Sequence, residues 1–148
     1  MKTEIKVTQL TKDDLCNIIS TATYGNNSFD ILVPDEYQKL KTLGGNEDDC
    51  WEDKLANVLL NGGKIDIVDM EDEYEDADVR LEPKVHHLEE YNECYYPAYR
   101  VGLEEFLEGC STDEGYEYAK ELLIDEDGDF FTAYNLIQII IFGEVVYG

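Results

Sequence analysis

The stretch Lys64-Ile65-Asp66-Ile67-Val68-Asp69-Met70 decides the fold. Ile65, Ile67 and then Val68 alternate with charged residues, and that period of two predicts a strand. A second run, Cys94-Tyr95-Tyr96-Pro97-Ala98-Tyr99-Arg100-Val101, reads as another strand. Pro97 removes a ladder donor there, which points to an edge or a bulge. If the two strands pair, the acidic stretch between them is held out at one end of a small sheet. Phe29 to Val33 reads as a further short strand ended by Pro34, and residues 3–8 and 79–85 as two more. Val145-Val146-Tyr147 reads as a last one, docked after the final helix.

Around these strands the spacing becomes helical. Thr11 offers an N-cap, Asp13 and Asp14 place acids in a first turn, and Leu15, Ile18, Ile19 and Ala22 recur on one face until Gly25. Residues 35–42 read as one or two helical turns. Asn46 to Asp53 supply caps and acids for a second helix with Trp51, Leu55, Val58 and Leu59 on its apolar face, ended by Asn61-Gly62-Gly63. Gly102 to Glu108, Thr112 to Ile124 and Phe130 to Phe142 predict three more, the last capped by Asp127 or Asp129 and ended by Gly143. The order lacks regular βαβ alternation. The expected class is therefore α+β: one domain over residues 1–148, with a short, mostly antiparallel sheet and four to five helices.

The chain of 148 residues carries 35 Asp and Glu against 11 Lys and Arg, a net charge of -24. Leu, Ile, Val and Phe make up 27% of it, above the roughly 20% below which high charge implies disorder. The charge therefore sits on a folded body. It is uneven: residues 1–64 carry -4 and residues 65–148 carry -20. The densest run, 69–78, holds Asp69, Glu71, Asp72, Glu73, Glu75, Asp76 and Asp78. Self-repulsion makes this run a connection, outside the regular elements. Such charge argues against direct binding to nucleic acid or anionic lipid, both polyanions, and leaves a basic partner or a generic solubility role. Eight of the eleven tyrosines lie within residues 74–134. Acids beside Tyr rings complement an Arg-rich surface. The same rings also suit a half-buried core, and both readings stand open.

No catalytic constellation emerges. Asp125-Glu126-Asp127-Gly128-Asp129 opens like a calcium loop, but Phe130 stands where the turn glycine is required and Leu136 where the bidentate Glu is required. His86 and His87, adjacent on a strand, point to opposite faces and are poorly placed to share a metal. Cys16, Cys50, Cys94 and Cys110 lack zinc-site spacing. Pairs such as Glu104 and Glu105 are inevitable among so many acids. Gly62-Gly63 follows a helix, whereas a phosphate-cradling loop precedes one. The expectation is a non-enzyme with no catalytic residue, metal or cofactor. Ile139-Ile140-Ile141-Phe142 falls far short of the ~20 apolar residues that span a bilayer. With no secretory signal and unpaired thiols, the expected location is the cytoplasm, with no membrane partner.

Three segments carry a resemblance: Thr11 to Gly25, Cys50 to Ile65, and Leu136 to Gly148. Together they resemble small acidic proteins of bacteriophages and other mobile elements, a group that includes type II-A anti-CRISPR proteins. Residues 69–93 and 111–124 lie outside the resemblance, and none of its segments is a catalytic motif. It implies a counter-defence inhibitor of an RNA-guided DNA nuclease, acting in the bacterial host cytoplasm. The charge is compatible with a DNA mimic that occupies a basic, nucleic-acid-binding surface. The expected contact residues are Asp69, Glu71, Asp72, Glu73, Glu75, Asp76 and Asp78, with Glu89, Glu90, Tyr91, Glu93, Tyr95 and Tyr96. A carboxylate-rich metal-dependent enzyme and a structural or assembly protein of a mobile element are the alternatives.

Overall fold

In a computed structural model, which describes residues 7–147, the first helix starts on a reciprocal capping box. Thr11 Oγ1 accepts from the Asp14 amide at 3.1 Å and Asp14 Oδ2 accepts from the Thr11 amide at 2.9 Å. Helix α1, Lys12–Thr23, buries Leu15, Ile18, Ile19 and Ala22, the face its spacing predicts. Strand β1, Phe29–Leu32, follows, then a 3-10 segment over Asp35–Thr42 and helix α2, Trp51–Leu60. Strands β2, Lys64–Asp69, β3, His87–Tyr91, and β4, Cys94–Gly102, lead into α3, Leu103–Gly109, and α4, Asp113–Ala119. A π-helical turn over Lys120–Ile124 and helix α5, Phe130–Phe142, complete the order. The fold is α+β, with the four strands antiparallel in the order β1-β2-β4-β3.

The alternation read in 64–70 orients the sheet. Ile65 and Ile67 pair with Val101 and Tyr99. All four turn to the helical side and join Leu15, Leu55, Phe106 and Leu136 in one core. Each fully buried aliphatic there contributes about 1.5–3 kcal/mol. Asp66, Val68, Ala98 and Arg100 point to the opposite face. Val68 and Ala98 are fully buried there but stand outside the main core. Helix α5 ends at Gly143, whose φ of 84° is the left-handed conformation that lets its amide cap Ile139 O.

Several expectations are corrected. The strand expected over 79–85 is a turn-rich connection, and the edge strand is instead β3, one turn further on. Pro97 lies in β4, an interior strand. Its vacant donor position faces the β2 side, where the ladder stops at Val68↔Ala98 and resumes only at a Tyr74↔Tyr95 bridge, so no ladder bond is lost. The helix expected over 112–124 ends as α4 at Ala119 and widens into the π turn. Residues 145–147 form no strand. Gln138, wholly buried in α5, takes their backbone instead, its Oε1 accepting from Val146 N at 2.9 Å and Tyr147 N at 2.7 Å. The cap of α2 falls on Cys50, which makes no side-chain bond. That of α5 is Asp129. The strand expected over 3–8 falls mostly outside the described residues, and Val7 and Thr8 are irregular. Among the described residues, no helix is long and apolar enough to cross a membrane.

Candidate functional site

The acidic run leaves the sheet at the end of β2 and is pinned back to it once. The Tyr74 and Tyr95 amides and carbonyls bond reciprocally at 2.8 Å on both sides, which extends the β2 position beside β4 after the detour through 70–73. On the other flank of β4, β3 places Glu89 opposite Tyr96, Glu90 opposite Tyr95 and Tyr91 opposite Cys94. The hairpin closes through Asn92 and Glu93, with φ of 50° and 68°. Positive φ at both central residues is the type I′ condition that matches strand twist. The acids of 71–78 and of 89–93 thus flank one end of β4.

Most of the expected contact residues are therefore brought together. Glu71, Glu73, Glu75, Asp76, Asp78, Glu90 and Glu93 are exposed; Asp72, Glu89, Tyr91, Tyr95 and Tyr96 are half-buried. Among the described residues, no ion pair with Lys, Arg or His reaches any acid of 69–78. Asp69 is the exception to the surface reading. It is only 1% exposed and turns inward, where its Oδ2 accepts from Tyr147 Oη at 2.6 Å and its Oδ1 from the Glu71 amide at 3.0 Å. Burial raises its carboxyl above the ordinary range, against those two bonds.

The tyrosines have a use that spacing did not reveal. Tyr74 Oη donates to Asp72 at 3.0 Å, Tyr96 to Glu73 at 2.8 Å, Tyr91 to Asp30 at 2.7 Å and Tyr118 to Glu114 at 3.2 Å. Tyr134 donates to Glu71 and Tyr24 to Glu52. With so few cations, phenol hydroxyls become the donors that hold carboxylates in place. A charge-assisted O–H···O⁻ bond orients the acid and leaves its negative charge intact. The cost falls on the phenols. Burial, then the bond to Asp30, pushes Tyr91 up, and the Glu73 bond, then burial, pushes Tyr96 up. Within the ridge these bonds orient Glu71, Asp72 and Glu73.

The open face of the sheet carries a second constellation. Arg100 grips Asp66 through two bonds, Nε to Oδ1 at 2.8 Å and Nη2 to Oδ2 at 3.0 Å, and reaches Glu36 with Nη1 at 3.0 Å. Asp66 is 3% exposed, so this pair neutralises a carboxylate inside the fold. His87 Nε2 lies 2.6 Å from Glu89 Oε1 and 3.9 Å from Asp66 Oδ2. His86 and His87 do not diverge as expected, because His86 precedes the first residue of β3; their Nδ1 atoms lie 2.8 Å apart.

The thiols differ by environment. Burial, with Asp53 beside Cys16, pushes both Cys16 and Cys110 up to about 12. Cys50 is exposed. The chain matches no family model, no curated protein and no solved structure.

Proposed function

We propose that this protein is a non-enzymatic inhibitor that occupies a basic, nucleic-acid-binding surface of a defence enzyme, of the RNA-guided DNA nuclease class that the resemblance implies. One observation carries the reading: the acids of 71–78 and 89–93 flank one strand end, Glu71, Asp72 and Glu73 are oriented by tyrosines, and among the described residues no cation pairs with an acid of 69–78. Residues 71–78 hold six acids in eight positions. Even fully extended at about 3.3 Å per residue, that is one charge per ~4.4 Å. A strand of B-DNA carries one per about 3.4 Å along its axis, so a channel lined for phosphate meets a comparable density. The wider field of a chain at -24 accelerates encounter with such a channel.

The test neutralises only acids that make no tyrosine bond: Glu75→Gln, Asp76→Asn, Asp78→Asn, Glu90→Gln and Glu93→Gln together. At about 0.5 kcal/mol per exposed charge contact, five contacts amount to about 2.5 kcal/mol, or roughly 70-fold in Kd. Affinity for a purified effector nuclease should fall by that order, and wild-type affinity should weaken as salt rises. Equal affinity of the folded variant, or no response to salt, removes the ridge as the contact surface.

A further inference from the structure

Beside the ridge, and sharing Glu89 with it, Asp66, His87 and Glu89 each bring one ligand atom within 4.8 Å of the others. The topology explains the convergence. His87 and Glu89 are two apart on β3 and share a face. Asp66 projects from β2 on that same face, with β4 between. Ala98 of β4 pairs with Val68 on one side and His87 on the other, and its methyl is small enough for the imidazole to lean over it. From these residues we propose a divalent-cation site of the zinc class: His87 Nε2, Glu89 and Asp66 as ligands, with one position open.

Four observations support it. First, tetrahedral zinc with bonds of about 2.0–2.1 Å separates its ligand atoms by about 3.4 Å. The two separations from His87 Nε2, 2.6 Å to Glu89 and 3.9 Å to Asp66, straddle that value. Reaching it takes about 0.5–0.8 Å at these two pairs and up to about 1.4 Å between Glu89 and Asp66, which lie within 4.8 Å of each other; the His87 and Glu89 side chains are 31% exposed, so both have room to make that shift. Second, the outer partners are in place. A His87 that ligates through Nε2 carries its proton on Nδ1 and needs an acceptor, and His86 Nδ1 stands 2.8 Å away. Arg100 Nε holds Asp66 Oδ1 at 2.8 Å, the outer hydrogen bond a ligating carboxylate makes, and the ion would share Oδ2 with Arg100 Nη2, now 3.0 Å from it. Third, the charge matches: Asp66, Glu89 and Glu36 against Arg100 leave two negative charges for a dication. Fourth, the cluster opens into a groove of about 640 Å³ lined by Leu32, Pro34, Glu36 and Trp51, a path for the ion and for a fourth ligand. One nitrogen with two carboxylate oxygens suits zinc better than calcium or magnesium, which prefer all-oxygen shells. A bound ion would tie edge strand β3, which bears part of the acidic ridge, to β2 across β4.

The test uses the full chain, reduced, with zinc chloride as the probe and cobalt chloride as its spectroscopic substitute. The chain has only two histidines, so both imidazoles can be followed by nitrogen-15 NMR. The expected result is one tight equivalent, with the His87 Nε2 resonance moving most. His87→Gln and Glu89→Gln, each checked for native circular dichroism, should weaken binding at least tenfold, and Glu104→Gln on the exposed start of α3 should not. Three outcomes overturn the site: no zinc binding tighter than that of the acidic surface at large, undiminished binding in His87→Gln and Glu89→Gln, or a cobalt thiolate charge-transfer band, which would place the ion on cysteine.

Discussion

Tyr147→Phe removes one hydroxyl and leaves the ring. The ring packs edge-on against Phe142 at 6.0 Å between centroids, and Gln138 still holds the Tyr147 amide at 2.7 Å. What disappears is one of two donors to the buried Asp69 carboxylate. Hydrogen bonds to charged groups contribute about 1.5–3 kcal/mol, so the expected loss is about 2 kcal/mol near neutral pH. For a chain of this size that lowers Tm by about 4–8 °C. The pH dependence gives a sharper signature. The folded-state carboxyl of Asp69 is raised by burial. Between the unfolded value and that raised value the folded chain binds more protons, so the Asp69 contribution to stability falls as pH rises through the window. The Tyr147 hydroxyl opposes that shift, and Tyr147→Phe raises the carboxyl further. The penalty should therefore be largest once Asp69 is ionised and shrink on acidification toward about 1 kcal/mol, the contribution of a neutral bond. Urea denaturation of wild type, Tyr147→Phe, Asp69→Asn and the double variant, across a pH series from neutral down through the carboxylate range, measures it, with the Tyr147–Asp69 coupling read from the cycle. A penalty below about 0.5 kcal/mol at neutral pH, or one that stays constant across the whole series, refutes the assignment of Asp69 as a buried, phenol-held carboxylate.

Arg100→Met should destabilise by about 3–5 kcal/mol, because it strands Asp66 without its bidentate partner; adding Asp66→Leu should recover much of that loss in urea titrations. Thiol labelling of the native protein should show one fast site, Cys50, the one exposed thiol, because Cys16 and Cys110 are held up to about 12 and desolvation, then the Glu73 bond, raises the half-buried Cys94. Cys50→Ser should remove the fast phase, and persistence of that phase would contradict the burial pattern.

The elements legible in the sequence were those whose signals are local. The alternation of Ile65 and Ile67 defined β2, and Thr11 with Asp14 and Asp129 with Thr132 capped α1 and α5 where the pattern places them. Strand β3 was missed because His87-Leu88-Glu89-Glu90-Tyr91 lies at an edge with no fully buried residue. Its one signal was Asn92 in a two-residue turn, obscured because Glu93, not glycine, takes the second positive φ. The acidic ridge was legible as composition. Its internal order was not, since Tyr91–Asp30, Tyr134–Glu71 and Tyr147–Asp69 join residues more than 60 positions apart. Asp69 looked identical to its neighbours in sequence; only its place in the β2 register, opposite Phe29 on the core side, turns it inward.

The proposed occupation of a nucleic-acid channel is tested most directly by competition. A labelled target duplex is bound to a guide-loaded effector nuclease, and this protein is added across a concentration series. Displacement should be complete, with the apparent Kd for the duplex rising in proportion to added protein and no species containing all three components. A stable ternary complex of nuclease, duplex and this protein would contradict it.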